Sequence, residues 1–421
     1  MSALRLNSKR VVVTGLGAIT SLGSDLDVLW EKLLRGESGV RRITQFDPDG
    51  LPCQVAGEIL EFDPGDYMLI KQARRMARSS QVALASAKKA IENARLDMEQ
   101  VDRERMGVVY GTAIGGWDRA DEGLQVLRKQ GLNRVNPFFL PSALPNMPAF
   151  HITHEIKAFG PNSTVTTACA TGTQAVGEAA NVIRSGRADV MITGGSEALI
   201  RYFAFAGFST MRALPTSYND EPERASRPFE AGREGFVLSE GAACLVLESL
   251  DHARKRGARI YAEVCGYASS SDAFHIAAPD PSAAGAIRTM KWALEDAGIN
   301  PEQVSYINAH GTSTPANDAM ETLAIKTLFH EHAYNIPISS TKSMLGHAMG
   351  ASGGIEAIVC ALSIYHDKIH PTINYEVPDP ELDLDYVPNK AREAPVEIAL
   401  SNSFGLGGQN ACLVFRKVEK R

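Results

Sequence analysis

The sequence predicts an α/β protein, with a mostly parallel sheet covered by helices on both faces. Two observations lead there: short β-branched apolar runs alternate with longer helical patterns, and most of those runs are apolar on both faces, as doubly covered strands are. A third is an outline repeat. Residues 163–195, "STVTTACATGTQAVGEAANVIRSGRADVMITGG", give strand, small-residue turn, Ala-rich helix and strand. Residues 336–369, "IPISSTKSMLGHAMGASGGIEAIVCALSIYHDKI", open with the same strand, turn and Ala-rich helix.

In order along the chain, "RVVVTGLG" (10–17) reads as the first strand and "SDLDVLWEKLLRG" (24–36) as a helix; a second helix is expected from about Ile70 to Leu96. The further strands are "RMGVVYGTA" (105–113), "DVMITGG" (189–195), "ACLVLE" (243–248), "AEVCGY" (262–267), "SYINAHG" (305–311), "IALSNS" (398–403) and "ACLVFR" (411–416). The charged stretch "DHARKRGARI" (251–260) reads as a helical connector, which divides the chain into halves 1–250 and 251–421. Two insertions, roughly 114–160 and 199–235, lie outside the repeat, and connections of that length are usually functional or interfacial. The uncharged span Val135–His154 has the length of a membrane helix, but Pro137, Pro141, Pro145 and Pro148 make it an irregular segment with no membrane insertion.

The 421 residues are 44% hydrophobic and 22% charged, an ordinary globular balance that excludes a disordered or fibrous chain. A net charge of -6 argues against nucleic acid as a partner, so any acidic partner needs a local basic patch. The six cysteines show neither CxxC nor a Cys/His ladder, so no metal site and no disulfide framework is signalled. The first residues lead into a β-branched run without the apolar core of a signal peptide, and a reducing, cytoplasmic setting is expected.

Cys53, Cys244, Cys265, Cys360 and Cys412 sit in apolar strand or helix contexts, where a thiol acts as a small core hydrophobe. Cys169 differs. It follows the strand "STVTT" and opens a helix, so its sulfur is placed near unpaired amides and the positive end of the helix dipole, which favours a nucleophilic thiolate. Its neighbours Ala168, Ala170 and Gly172 leave room for a carbonyl. His310 ends the strand "SYINA", at the edge where parallel sheets meet ligands. His347 and Lys342 lie in the turn before the second Ala-rich helix, the position that Cys169 holds in the first half; a pseudo-twofold relation between the halves brings these turns together. Glycines 405, 407 and 408 form a tight loop of close backbone approach.

Taken together, "TACATG", "NAHGTSTPAND", "KSMLGHAMGASG" and "SNSFGLGGQN" resemble the signature segments of the β-ketoacyl-[acyl-carrier-protein] synthases with a Cys-His-His centre, and the likeness is greatest to their elongating branch. It extends from "VVVTGLGAITSLG" to "ACLVF" and includes "ITGGSEA" and "SRPFEAGREGFVLSEGA". The resemblance implies a thiolase fold: duplicated βαβαβαββ halves in five αβαβα layers, assembled as a homodimer. It implies that Cys169 takes an acyl group from an acyl carrier protein. Malonyl carrier protein then loses CO2, and its carbanion attacks the thioester to give 3-oxoacyl carrier protein, extending a fatty acid by two carbons.

The resemblance also assigns residues. Backbone N–H groups of Cys169 and Phe404 form an oxyanion hole; His310 and His347, as neutral imidazoles, hold the malonyl thioester oxygen; and Lys342 sets the electrostatics, with Glu356 bonded to the network. Thr312 and Thr314 hydrogen-bond the pantetheine arm, which the carrier protein brings, so no cofactor of the enzyme itself is expected. Phe404 gates the acyl site. Leu406 and Gln409 depart from the family's "SFGFGGTN", which bears on the gate and on chain length rather than on catalysis. Lys71, Arg74, Arg75 and Arg78, expected on consecutive helical turns, and Arg212 supply the basic face for an acidic carrier. A thiolase is disfavoured because Phe404 stands where its second cysteine is sought, and a chain-initiating synthase because His347 fills the place of its Asn. A non-catalytic chain-length subunit lacks the nucleophile. A polyketide ketosynthase is the remaining alternative, since it uses the same residues.

Overall fold

The computed structural model describes residues 8–419. The strands of its main sheet, in chain order, are β1 (Val11–Ile19), β2 (Met106–Gly111), β3 (Asn162–Val165), β4 (Val190–Glu197), β5 (Gly241–Ser249), β6 (Ala262–Ser271), β7 (Tyr306–Asn308), β8 (Ile338–Ser339), β9 (Ile398–Gly405) and β10 (Gln409–Arg416). They form one 10-stranded sheet in the order β8-β7-β9-β10-β6-β1-β5-β4-β2-β3. Counted outward from the β1/β6 junction, each half places its own strands as first, fifth, fourth, second and third. The outline repeat in the sequence is therefore a duplication of topology.

The sheet is mixed, which corrects the expectation of a mostly parallel one. β2 is parallel to β3 and β4, and β7 to β8 and β9. The pairs β1/β5, β4/β5, β9/β10, β6/β10 and β1/β6 are antiparallel. Residues that are apolar on both faces report that both faces are covered, and say nothing of strand direction. In the second half β9 and β10 are a tight hairpin through Gly407 and Gly408, whose φ angles of 79° and 69° suit glycine. In the first half the insertion separates β4 from β5.

Five helices build the layers: α1 (Arg78–Ala94), α2 (Thr171–Arg184), α3 (Ala284–Ala297), α4 (Pro315–Phe329) and α5 (Ser352–His366). α1 covers β1 and β5 on one outer face, and α3, with α4 beside it, covers β6 and β10 on the other; α2 and α5 pack on each other between the half-sheets. This is the αβαβα order of the thiolase fold. α5 is buried from Ser352 through Ile364, and its apolar all-round sequence is what a helix enclosed on every side needs. The outer layers approach closely at matching glycines: a Cβ on Gly15 would lie 2.3 Å from the Ala90 carbonyl of α1, and one on Gly266 2.4 Å from the Ala293 carbonyl of α3. The halves join at β1/β6 through Val12–Glu263 and Val13–Ala262, and in the chain through the short helix Leu250–Lys255.

Two sequence expectations need correction. The helix expected from Ile70 to Leu96 is broken: Ile70–Ala73 is one short turn, Ala77 is extended, and α1 starts at Arg78. Neither glycine nor proline marks the break. Tertiary bonds make it, since the Arg78 guanidinium pairs with Glu240 and the Ile59 carbonyl while its backbone N–H donates to Asp118. The segment Val135–His154 is not irregular throughout, for it holds the helices Phe139–Ala143 and Met147–Ile156. Pro148 falls in the first turn of the latter, where its missing N–H costs nothing. No described helix is long and apolar enough to cross a membrane.

Candidate active site

Cys169 lies in a single 3₁₀ turn, Ala168–Ala170, that runs directly into α2. The second half repeats this device, with the turn Met349–Ala351 running into α5. In both, the residue that opens the turn is left-handed without being glycine: φ is 50° at Ala168 and 44° at Met349. This fixes the equivalence of the halves. Gly350, not His347 or Lys342, stands where Cys169 stands, so the expected positional match is corrected. His347 and Lys342 sit upstream because the short helix Lys342–Leu345 and Gly346 lengthen the second approach.

The two turns nevertheless meet. The sulfur of Cys169 and ring nitrogens of His310 and His347 all lie within 4.8 Å of one another. All three residues are buried, as is Lys342 at 2% exposure. The imidazoles are edge to face at 5.4 Å, and the Phe404 ring stands 5.9 Å from that of His310.

Hydrogen bonds orient each group. The Lys342 ammonium donates to the His310 carbonyl at 2.7 Å, to His310 Nδ1 at 3.3 Å and to the Glu356 carboxylate. An ammonium only donates, so Nδ1 of His310 accepts and the ring proton is on Nε2. Glu321 anchors the same strand end by accepting from the His310 and Gly311 amides. His347 Nδ1 is 2.9 Å from Ser352 Oγ, while its Nε2 is buried with no partner in the protein. A buried ring nitrogen left over in this way is available to a ligand.

Burial and then the Lys342 charge hold both imidazoles well below the ordinary histidine range, so both are neutral near pH 7. The expectation of a thiolate is corrected. Burial pushes the Cys169 thiol up to about 11; the Leu406 N–H, the Lys342 ammonium and the Cys169 N–H pull the other way and do not offset the lost hydration. The resting centre is thus a neutral thiol facing neutral imidazoles, with one ammonium–carboxylate pair behind them.

The thiol and the two imidazoles line a cavity of about 410 Å³. Phe208, Met349, Phe404 and Leu406 give it apolar walls, and Thr312, Thr314, Arg212 and Asn317 lie along it. The Thr312 and Thr314 hydroxyls are 2.8 Å apart, and Thr314 also caps α4 by accepting from the Asn317 amide. Arg212 is exposed at the cavity and left-handed at φ 55°. Lys71, Arg74 and Arg75 are exposed, but at the break before α1 rather than on consecutive turns of a helix. Arg75 stacks on Phe138 at 4.4 Å. Arg78 is tied to Glu240 and does not belong to that face.

The donor set Cys169, His310 and His347 is of a type that zinc takes. Asn308 Oδ1, Ser401 Oγ, Asn402 Oδ1 and Glu356 Oε2 are also buried without a protein partner. Sequence reasoning missed Glu321, the Leu406 amide, Ser352 and Glu197. The one available signal was an acidic residue ending or interrupting an apolar element, as in "VMITGGSE", where burial makes the charge conspicuous. The other five cysteines are packing groups, four buried and Cys265 half-buried.

The chain matches the N-terminal domain of the beta-ketoacyl synthases over residues 8–253 and their C-terminal domain over 261–376. The 3-oxoacyl-[acyl-carrier-protein] synthase 2 of Staphylococcus aureus (strain COL) is 48% identical over 412 residues, covering 98% of this chain and 99% of the relative. The protein of the same name from Synechocystis sp. (strain ATCC 27184 / PCC 6803 / Kazusa) is 48% identical over 414 residues, with the same coverage. Among solved structures, a beta-ketoacyl synthase from Burkholderia phymatum STM815 superposes with a TM-score of 0.91 at 36% identity, covering 98% of this chain and all, 100%, of its own. A type II polyketide ketosynthase, solved bound to its acyl-carrier protein, does so with 0.91 at 35% and the same coverage. With both domains matched in order, near-complete coverage and the duplicated topology, this chain belongs to the beta-ketoacyl synthase family.

Proposed function

We propose that the protein is a 3-oxoacyl-[acyl-carrier-protein] synthase that elongates fatty acids by decarboxylative condensation, with Cys169 as the acyl acceptor. The observation that carries this reading is a thiol and two neutral imidazoles, all within 4.8 Å of one another, in one buried chamber. Cys169 Sγ attacks the acyl thioester; the C–S bond to the carrier's pantetheine breaks, and the proton leaves with that thiol. Malonyl carrier protein then loses CO2, and the electron pair of the broken C–C bond becomes an enolate. His310 and His347 donate from Nε2 to the oxygen where that charge develops. The enolate attacks the Cys169 thioester, its C–S bond breaks, and the product leaves as 3-oxoacyl carrier protein while the sulfur regains a proton.

The amides of Cys169 and Phe404 serve as the oxyanion hole, and Phe404 as the gate. Thr312 and Thr314 meet the pantetheine arm. Lys342, neutralised by Glu356, holds His310 in the tautomer that donates. No metal or resident cofactor is assigned: the ammonium already supplies the positive charge beside His310, and phosphopantetheine arrives on the substrate.

Acyl carrier protein is the partner, and Lys71, Arg74, Arg75 and Arg212 form its docking face. A homodimer is supported by the edge strand β3, whose Asn162 and Ser163 are exposed, and by exposed Phe150 and Phe159 just before it. The halves are taken to divide as 1–250 and 251–421, and the protein to act in the cytoplasm. The polyketide alternative draws on the solved ketosynthases at 35% and 37% identity; the 48% relatives named 3-oxoacyl-[acyl-carrier-protein] synthase 2 favour elongation.

Turnover of malonyl carrier protein with a series of acyl carrier proteins, read by intact mass, tests the reading. Long saturated acyl groups on Cys169, absent in Cys169→Ala, are expected. Acylation by short polyketide intermediates alone moves the function to the alternative.

A further inference from the structure

Glu197 ends β4 and is fully buried. Its Oε1 accepts from the Thr112 hydroxyl at 3.0 Å, and its Oε2 from the Ala113 amide at 2.8 Å and the Gly350 amide at 3.3 Å. Thr112 and Ala113 follow β2 in the Cys169-bearing half; Gly350 belongs to the turn between His347 and α5.

The internal symmetry says what kind of place this is. β4 and β9 are equivalent strands of 8 residues, so Glu197 corresponds to Gly405. Gly405 lies over the Cys169 amide, a Cβ there being 3.2 Å from Cys169 N. Glu197 in turn lies over the amide of Gly350, the counterpart of Cys169. A side chain at Gly350 has no room, since its Cβ would stand 2.5 Å from Ala113 N and 3.0 Å from Glu197 Oε2. The second half thus keeps the strained turn and its inward amide but holds a carboxylate of the first half where the first half leaves space for substrate.

We infer that Glu197 is a positioning residue of the condensation: it fills the amide pocket that the second half presents at the position equivalent to Cys169, and so fixes the His347-bearing turn against the Cys169-bearing half. An anion suits inward amides at a helix start, and the contact spans the two halves. Burial pushes the Glu197 carboxyl up to about 7, with the Ala113 amide, the Thr112 hydroxyl and the Gly350 amide acting against it. Above pH 8 it is ionised, and its charge then opposes ionisation of Cys169, which Lys342 favours; His310 and His347 are neutral there.

The inference rests on the reading of Cys169 and His347 given above, and the test separates the two. Glu197→Gln keeps the size and removes the charge. Alkylation of Cys169 by iodoacetamide, followed by mass between pH 8 and 10, reads the local field without any condensation. We expect alkylation about threefold faster at pH 9, with condensation kcat down about tenfold and KM for acyl carrier protein within about twofold, because the turn rather than the docking site is disturbed. Unchanged alkylation overturns the inference, and so does a kcat within twofold of the parent. If Glu197→Gln does not fold, Glu197→Asp is decisive: it keeps the charge and loses reach, so a parental alkylation profile with reduced kcat supports the inference and parental kcat overturns it. Condensation that survives in Cys169→Ala defeats the functional reading instead.

Discussion

Replacing His347 by alanine isolates one donor. Its Nε2 is buried without a protein partner, and burial with the Lys342 charge keeps the ring neutral. Nothing else in the fold depends on that nitrogen, whereas the main-chain N–H of residue 347 bonds the Val237 carbonyl at 2.7 Å and survives the substitution. Alanine also removes the Nδ1 contact to Ser352 Oγ and the ring's packing on Phe236, but the only loss specific to decarboxylation is one hydrogen bond to charge that develops as CO2 departs. A preorganised donor of this kind is worth roughly 3 to 4 kcal/mol, or a factor of about 10²–10³ in rate. Transfer of the acyl group to Cys169 does not use it and should change by less than about tenfold. Single-turnover release of CO2 from labelled malonyl carrier protein, set beside the mass of acylated enzyme in the same sample, measures both steps. Decarboxylation within tenfold of the parent would refute the assignment. Equal losses in both steps would refute it as well, since the ring would then serve the chamber generally and not the enolate.

The thiol should betray its environment through pH. With a value near 11, alkylation of Cys169 rises through pH 8, 9 and 10 without a plateau; at pH 8 only about one molecule in a thousand carries the thiolate, against roughly a quarter for an ordinary cysteine. A plateau below pH 9 contradicts this. The Lys342–Glu356 pair should behave as a buried unit: Lys342→Met or Glu356→Leu alone costs about 3 to 5 kcal/mol by leaving a buried charge, while the double variant recovers much of that loss. Additivity to within about 0.5 kcal/mol in denaturant titrations speaks against the coupling. Charge reversal of Lys71, Arg74 and Arg75 together should weaken carrier-protein binding about tenfold or more, and more at low salt, with Cys169 alkylation unaltered. Unchanged affinity removes the docking face.

The sequence was most informative where chemistry needs a particular side chain on a particular turn. A cysteine between a strand and an Ala-rich helix and histidines in two small-residue turns pointed to Cys169, His310, His347 and Lys342, and the resemblance to the β-ketoacyl synthases added Phe404. The pattern repeat likewise announced two similar halves. Both readings depend on local features: helix starts, turn residues and periodicity are written in neighbouring positions.

What the sequence could not decide was set by contacts between distant residues. The direction of the strands came from hairpins and insertions, not from their apolar faces. The break before α1 came from Arg78 reaching Glu240, some 160 positions away. The protonation of Cys169 was decided by how deeply the assembled halves bury it, which outweighs the favourable amides at the start of α2. The role of Glu197 is visible only once β4 and β9 are superposed as equivalents. Desolvation and cross-chain hydrogen bonds have no local signature in the chain, so they became legible only when the two halves closed on one another.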